Sequence, residues 1–157
     1  MRTRVRIVLL ILVLLAVAVG SLAESDLYDA WVLCQPNDYI NVRMNASRKS
    51  QIVGYADAGD PIQVDGTVKN GYVLCYGIGD MGSGWIHSGY VVYDEPERVT
   101  CTATVVSRGK LAARKYIKGK VRKWLHNLDE LRVFWISTDW TVTNEGFVRT
   151  EFLEFEW

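Results

Sequence analysis

Two eight-residue stretches carry the same chemistry in the same order. Gly84-Trp85-Ile86-His87-Ser88-Gly89-Tyr90-Val91 and Gly146-Phe147-Val148-Arg149-Thr150-Glu151-Phe152-Leu153 both read glycine, aromatic, β-branched, basic, hydroxyl, spacer, aromatic, aliphatic. An aromatic beside a β-branched residue favours a strand, and the hydroxyl-spacer pair that follows favours a tight turn into a second strand. Finding that arrangement twice in 157 residues predicts one small β module used twice.

The octet resembles the closing segment of bacterial Src-homology-3 domains, where Gly-Trp-(Val/Ile)-x-Ser-x-Tyr-(Val/Leu) ends the barrel. Upstream, Asn41-Val42-Arg43, Ala46-Ser47 and Ile52-Val53-Gly54 resemble the family's Asn-Val-Arg-Ser-Gly-Pro-Ser…Val-Ile-Gly segment. The resemblance spans Trp31 to Asp94 in a first copy and Thr102 to Phe155 in a second, degenerate one, where Leu111-Ala112-Ala113-Arg114 keeps the arginine and the apolar rhythm. It implies an all-β chain of two Src-homology-3-like barrels in tandem.

The rest of the chain reads accordingly. Trp31–Cys34, Tyr39–Arg43, Gln51–Tyr55, Pro61–Val64 and Tyr72–Tyr76 read as strands of the first module, separated by turn residues such as Pro36-Asn37-Asp38 and Asp57-Ala58-Gly59-Asp60. Glu24 to Ala30 reads as a tether, and Asp94-Glu95-Pro96-Glu97 as a linker from which the modules should separate. The second module repeats the order with Thr102–Ser107, Leu111–Arg114, Val121–Leu125, Glu130–Ser137 and Trp140–Thr143. An amphipathic helix over Val121–Val133 is the rival there. The repeat favours strand-turn-strand, with Val121 aligned to Val53 and Val133 to Val64.

At the N-terminus, Arg2, Arg4 and Arg6 precede an apolar run from Ile7 to Gly20, then Ser21-Leu22-Ala23. A basic head, a short apolar segment and small residues before the boundary read as a secretory signal peptide spanning 1–23, cleaved after Ala23. The alternative is an uncleaved membrane anchor, although the run is shorter than the roughly 18–20 residues a spanning helix needs. Either reading puts the remainder outside the cytoplasm, extracellular or associated with the cell wall.

Basic and acidic residues number 18 each, but unevenly. Between Glu24 and Glu97 eleven acids face four bases, and from Arg98 onward seven acids face eleven bases. The modules therefore carry about −7 and +4. Such a contrast can dock the modules on one another or give the basic one an anionic partner. Seven of those cations, Lys110, Arg114, Lys115, Lys118, Lys120, Arg122 and Lys123, fall within fourteen residues. This run suits an anionic polymer; nucleic acid would suit the charge but is in the wrong compartment.

The three cysteines, Cys34, Cys75 and Cys101, leave at least one unpaired in an exported chain. Cys75 sits in an apolar strand, where cysteine acts as a small hydrophobe, and no disulfide is expected. A nucleophilic pair of Cys75 with His87 or His126 can be imagined. The exported cysteine peptidases that carry such domains have a separate catalytic domain, for which there is no room here. We expect no enzymatic activity, cofactor or metal.

Aromatic residues offer the other surface. In eukaryotic relatives of this fold the tyrosine of the closing turn lines a peptide groove. Tyr90 stands at that position and Phe152 at its counterpart, with Tyr39, Tyr55, Tyr72 and Trp85 available to the same surface. The resemblance implies a monomeric, non-catalytic module that binds cell-wall material, either peptidoglycan peptide or an anionic wall polymer. The alternative is a cell-surface adaptor or inhibitor that binds an envelope protein through the aromatic groove.

Overall fold

The computed structural model describes residues 26–78 and 82–157. The signal-peptide reading of 1–23 lies outside the described residues, among which no helix is long and apolar enough to cross a membrane. The first seven strands are β1 (Tyr28–Val32), β2 (Tyr39–Arg43), β3 (Ile52–Asp57), β4 (Pro61–Lys69), β5 (Tyr72–Tyr76), β6 (Ser83–His87) and β7 (Val91–Val92). The next seven are β8 (Glu97–Val105), β9 (Leu111–Arg114), β10 (Val121–Leu125), β11 (Glu130–Ile136), β12 (Trp140–Thr143), β13 (Gly146–Arg149) and β14 (Leu153–Glu156). The chain is all-β, with two seven-stranded sheets consistent with two small Src-homology-3-like barrels.

The sheets run in the same order, β3-β2-β6-β5-β4-β1-β7 and β10-β9-β13-β12-β11-β8-β14, so each strand of one has a counterpart in the other. Correspondence extends to single hydrogen bonds. The Arg43 guanidinium donates to Ser50 O at 2.8 Å, and Arg114 donates to Gly119 O at 2.8 Å. The Cys75 thiol donates to Gly84 O at 3.0 Å, where the Thr143 hydroxyl donates to Gly146 O at 3.0 Å. Asp60 Oδ2 accepts from Asp57 N–H at 2.8 Å, as Asp129 Oδ2 does from His126 N–H.

Each eight-residue repeat forms a strand, one 3-10 turn (Ser88–Tyr90 or Thr150–Phe152) and a second strand. Its leading glycine permits a close crossing. A Cβ on Gly84 would lie 2.4 Å from Val42 Cγ1, and one on Gly146 would lie 2.4 Å from Arg114 O.

Several sequence-based limits change. β1 begins at Tyr28 within the expected tether, because Tyr28–Trp31 pairs in register with Val64–Pro61 of β4. β8 begins at Glu97, ahead of Thr102, because Glu97 and Arg98 pair with Ile136 and Trp135. Ladder pairing uses backbone groups, so polar residues can extend a strand that hydrophobic patterning would stop short. The 121–133 segment is strand-turn-strand, with Val133 matching Val64, but Val121 matches Ile52 rather than Val53, since each pairs with the repeat's arginine.

Each barrel has its own core: Val32, Val42, Val64, Val73 and Ile86 in the first, Val105, Ala113, Leu125, Val133 and Val148 in the second. A third cluster joins them. Leu33 and Val92 of the first module pack with Trp140, Val142 and Phe147 of the second, all buried. The expected linker is therefore a short link, Tyr93–Pro96, between docked modules. Burying a large apolar side chain contributes about 1.5–3 kcal/mol, so this cluster holds the modules together.

Candidate binding surfaces

The six aromatics proposed for one groove fall in four places. Tyr39 and Tyr55 meet edge to face at 4.8 Å on adjacent strands, and both stay more than half exposed. Trp85 lies beside Leu74 on the outer face of the β5–β6 ribbon, half-buried. Phe152 packs on the second core. Tyr72 and Tyr90 flank His87, at 5.4 and 5.8 Å between ring centres. No continuous groove joins them.

The reason is the module interface. Tyr116 of the second module enters beside His87 (4.7 Å) and Tyr90 (5.6 Å), and Tyr90 continues to Phe147 (6.1 Å). The ring of Tyr116 rests on Gly89, where an added Cβ would lie 2.4 Å from its Cδ2. Ile117 N–H donates to Gly89 O at 2.9 Å, and Thr138 N–H donates to the Asp94 carboxylate at 2.6 Å. Tyr90, the residue expected to line a peptide groove, thus packs against the neighbouring module. Tyr116, Trp140 and Phe147 are not among the residues expected from the sequence at a binding surface or an interface. The run Trp31-Val32-Leu33-Cys34 carried a usable signal, since an unbroken apolar stretch marks a strand covered on both faces.

Charge plays a different part. The ion pairs of Lys123 with Glu145 (3.0 Å) and of Arg149 with Asp139 (3.5 Å) and Glu151 (3.0 Å) lie within the second module. Among the described residues none crosses to the acidic first module, and the buried contacts between the modules are apolar. Within the basic run, Arg114 is committed to Gly119 O and Lys123 to Glu145. Lys110 is exposed just before β9. Lys115, Lys120, Val121 and Arg122 line an open surface hollow of about 350 Å³. Lys118 stands apart, on the wall of the cleft between the modules.

The imagined Cys–His pair does not form. Cys75 turns into the core and donates to Gly84 O, while His87 belongs to the outer face of the neighbouring strand. Burial pushes the Cys75 thiol up to about 12, against thiolate formation. Burial and nearby Asp38, Asp57 and Asp60 push Cys34 likewise to about 12. All three cysteines are free. His87 Nδ1 accepts Gly89 N–H at 3.1 Å, and burial lowers its pKa. Among the described residues no cluster of three or more His, Cys, Asp or Glu side chains could hold a metal ion.

Both modules share the strand order, the 3-10 turn and the arginine bond, and residues 38–92 match the bacterial SH3 domain model. Residues 38–92 are a bacterial SH3 domain. No curated protein is significantly similar in sequence to this chain. Two solved structures, NlpC1 and NlpC2 from Trichomonas vaginalis, resemble it at 9% and 10% identity with TM-scores of 0.38 and 0.37. The likeness covers 88% and 86% of this chain and 49% and 50% of theirs, so this chain spans about half the length of each. At these values nothing about activity passes from them to this chain. The SH3 domain thus occupies the first barrel, and its closing turn, Ser88–Tyr90, forms part of the interface with the second.

Proposed function

We propose that this chain is an exported, non-catalytic binding protein that attaches to anionic cell-wall material through its second module. One observation carries the reading: Lys115, Lys120 and Arg122 lie side by side around one surface hollow and form no ion pair among the described residues. Exposed cations that neither dock the modules nor stabilise a strand pair remain available to an external anion. The apolar interface supports this, since it holds the modules together without using the basic run. Export rests on the basic head and apolar run of the leader, and absence of catalysis on the buried, protonated state favoured for Cys75.

Depletion by purified wall sacculi tests the reading. The native chain should leave the supernatant, and Lys115→Gln/Lys120→Gln/Arg122→Gln should stay in it with an unchanged circular dichroism spectrum. Equal depletion of both proteins, or of neither, would contradict it. The exposed Tyr39–Tyr55 pair favours a second reading, a cell-surface adaptor contacting an envelope protein. An adaptor would remain in solution with sacculi and lose its protein partner on Tyr55→Ala.

A further inference from the structure

One turn of the second module closes over the aromatic end of the first. Within it Lys115 N–H donates to Lys120 O at 3.1 Å, and Gly119 N–H donates to Tyr116 O at 2.8 Å. The Arg114 guanidinium holds Gly119 O as well, so residues 115–120 are stitched together as one piece. Among the described residues, one hydrogen bond ties this piece to the first module, from Ile117 N–H to Gly89 O at 2.9 Å. The rest of the contact is apolar: Tyr116 rests on Gly89 and His87, and Ile117 packs beside the shared cluster.

His87 shapes the surface that this piece covers. Its Nδ1 accepts Gly89 N–H at 3.1 Å, which makes His87 the cap of the Ser88–Tyr90 turn. The same glycine presents the carbonyl that receives Ile117. An accepting Nδ1 requires the neutral ring. A proton there sets a second N–H against that of Gly89, and the cap bond is lost.

The surroundings do not favour the charged ring. Tyr72, Tyr90 and Tyr116 stand around it at 5.4, 5.8 and 4.7 Å between centres. Lys69 lies beyond Tyr72 in the same cross-strand row, and Lys118 and Arg149 line the adjoining cleft. Both carboxylates of that cleft are engaged, Asp94 with Thr138 N–H and Asp139 with Arg149. Asp38 acts on Tyr90, whereas burial is what lowers the His87 pKa.

We infer that residues 115–120 form a lid over the Tyr72–His87–Tyr90 surface, and that protonation of His87 releases it while the barrels stay docked. The barrels stay together because their shared core of Leu33, Val92, Trp140, Val142 and Phe147 contains no titratable group. In the open form His87 has an ordinary imidazole value of about 6.5 and binds the proton more tightly than in the closed form. Closure is therefore complete above that value and weakens as pH falls through the lowered one. Acidification bares the side of the closing turn that Tyr116 covers.

Amide hydrogen exchange of the full chain tests this, with rates corrected for the intrinsic effect of pH. Protection of Ile117 should fall on acidification from about pH 7, by no more than about tenfold per pH unit for a single proton. Amides of β5 and β12 should keep theirs. His87→Asn keeps an acceptor at the cap without titrating in this range, so its Ile117 protection should not change with pH. Tyr116→Ala removes the ring of the lid, and the His87 pKa, followed by NMR, should then move toward the ordinary value. His126→Gln, in the other module, should leave the native profile intact. Constant protection of Ile117 through the His87 titration, or an equal fall in His87→Asn, would overturn the inference. So would loss of the β12 amides in step with Ile117, or an unmoved His87 pKa in Tyr116→Ala.

Discussion

Comparing the two modules residue by residue shows where the second has lost local fitness. Gly59 of the first module, φ 89°, donates its N–H to Val32 O at 2.7 Å; in the second, Leu128 donates to Val105 O at 2.8 Å with φ 69°. A left-handed backbone costs a residue with a Cβ about 1–2 kcal/mol, and Leu128 is 70% exposed, so little packing offsets it. Leu128→Gly should therefore stabilise the chain by about 1 kcal/mol, read as a higher denaturation midpoint. Cys75→Thr should be tolerated, because Thr143 already makes the same hydrogen bond in the other module. His87 sets a pH dependence. Its pKa is lowered in the folded chain by burial, so the unfolded chain binds the proton more readily. Stability is then full above the ordinary imidazole value of about 6.5 and is lost as pH falls through the lowered value. Melting temperature should fall on acidification over that interval, and His87→Gln should remove that component.

At the scale of the element, the repeated octet has two fates. Trp85 and Phe147 occupy equivalent positions, yet Trp85 is half-buried on the outer face of its ribbon while Phe147 is 1% exposed against the first module. Phe147→Ala should cost about 3–5 kcal/mol, the cost of truncating a buried aromatic, and Trp85→Ala distinctly less. Chemical denaturation of the two variants reads the difference. The strands and the octet were legible in the sequence because pairing, alternation and turn chemistry are local. Ile40 and Val42 alternate, Tyr72–Tyr76 is continuous, and Gly84 and Gly146 open the two octets. The module interface was not legible, because Tyr90, Tyr116 and Phe147 would look the same on an open groove as in a closed interface. Only the three-dimensional placement of one barrel against the other distinguishes them. The basic run was legible as a charge cluster, but its division was not. Hydrogen bonding commits Arg114 and an ion pair commits Lys123, whereas Lys115, Lys120 and Arg122 are left around their hollow.

At the scale of the molecule, the shared apolar cluster should make the modules unfold together. Calorimetry of the chain should give one transition whose calorimetric and van't Hoff enthalpies agree, and two separated transitions would mean independent modules. A cut near Asp94 should then yield pieces that expose Trp140 and Phe147 and associate, instead of two soluble barrels. On the edge corresponding to Trp31 and Val92, the second module carries Thr104 and Glu154, so that apolar contact is not repeated on its outer side. The intact chain should accordingly be monomeric by sedimentation. With no ion pair between the modules among the described residues, the basic hollow is the part most sensitive to ionic strength. Retention on wall sacculi as salt is raised is therefore the most direct test. Exposed charges are screened beyond roughly 8 Å at physiological ionic strength, so retention of the native chain should fall steeply with salt, and that of Lys115→Gln/Lys120→Gln/Arg122→Gln should be low throughout. Retention that is independent of salt and equal in the two proteins would contradict the account.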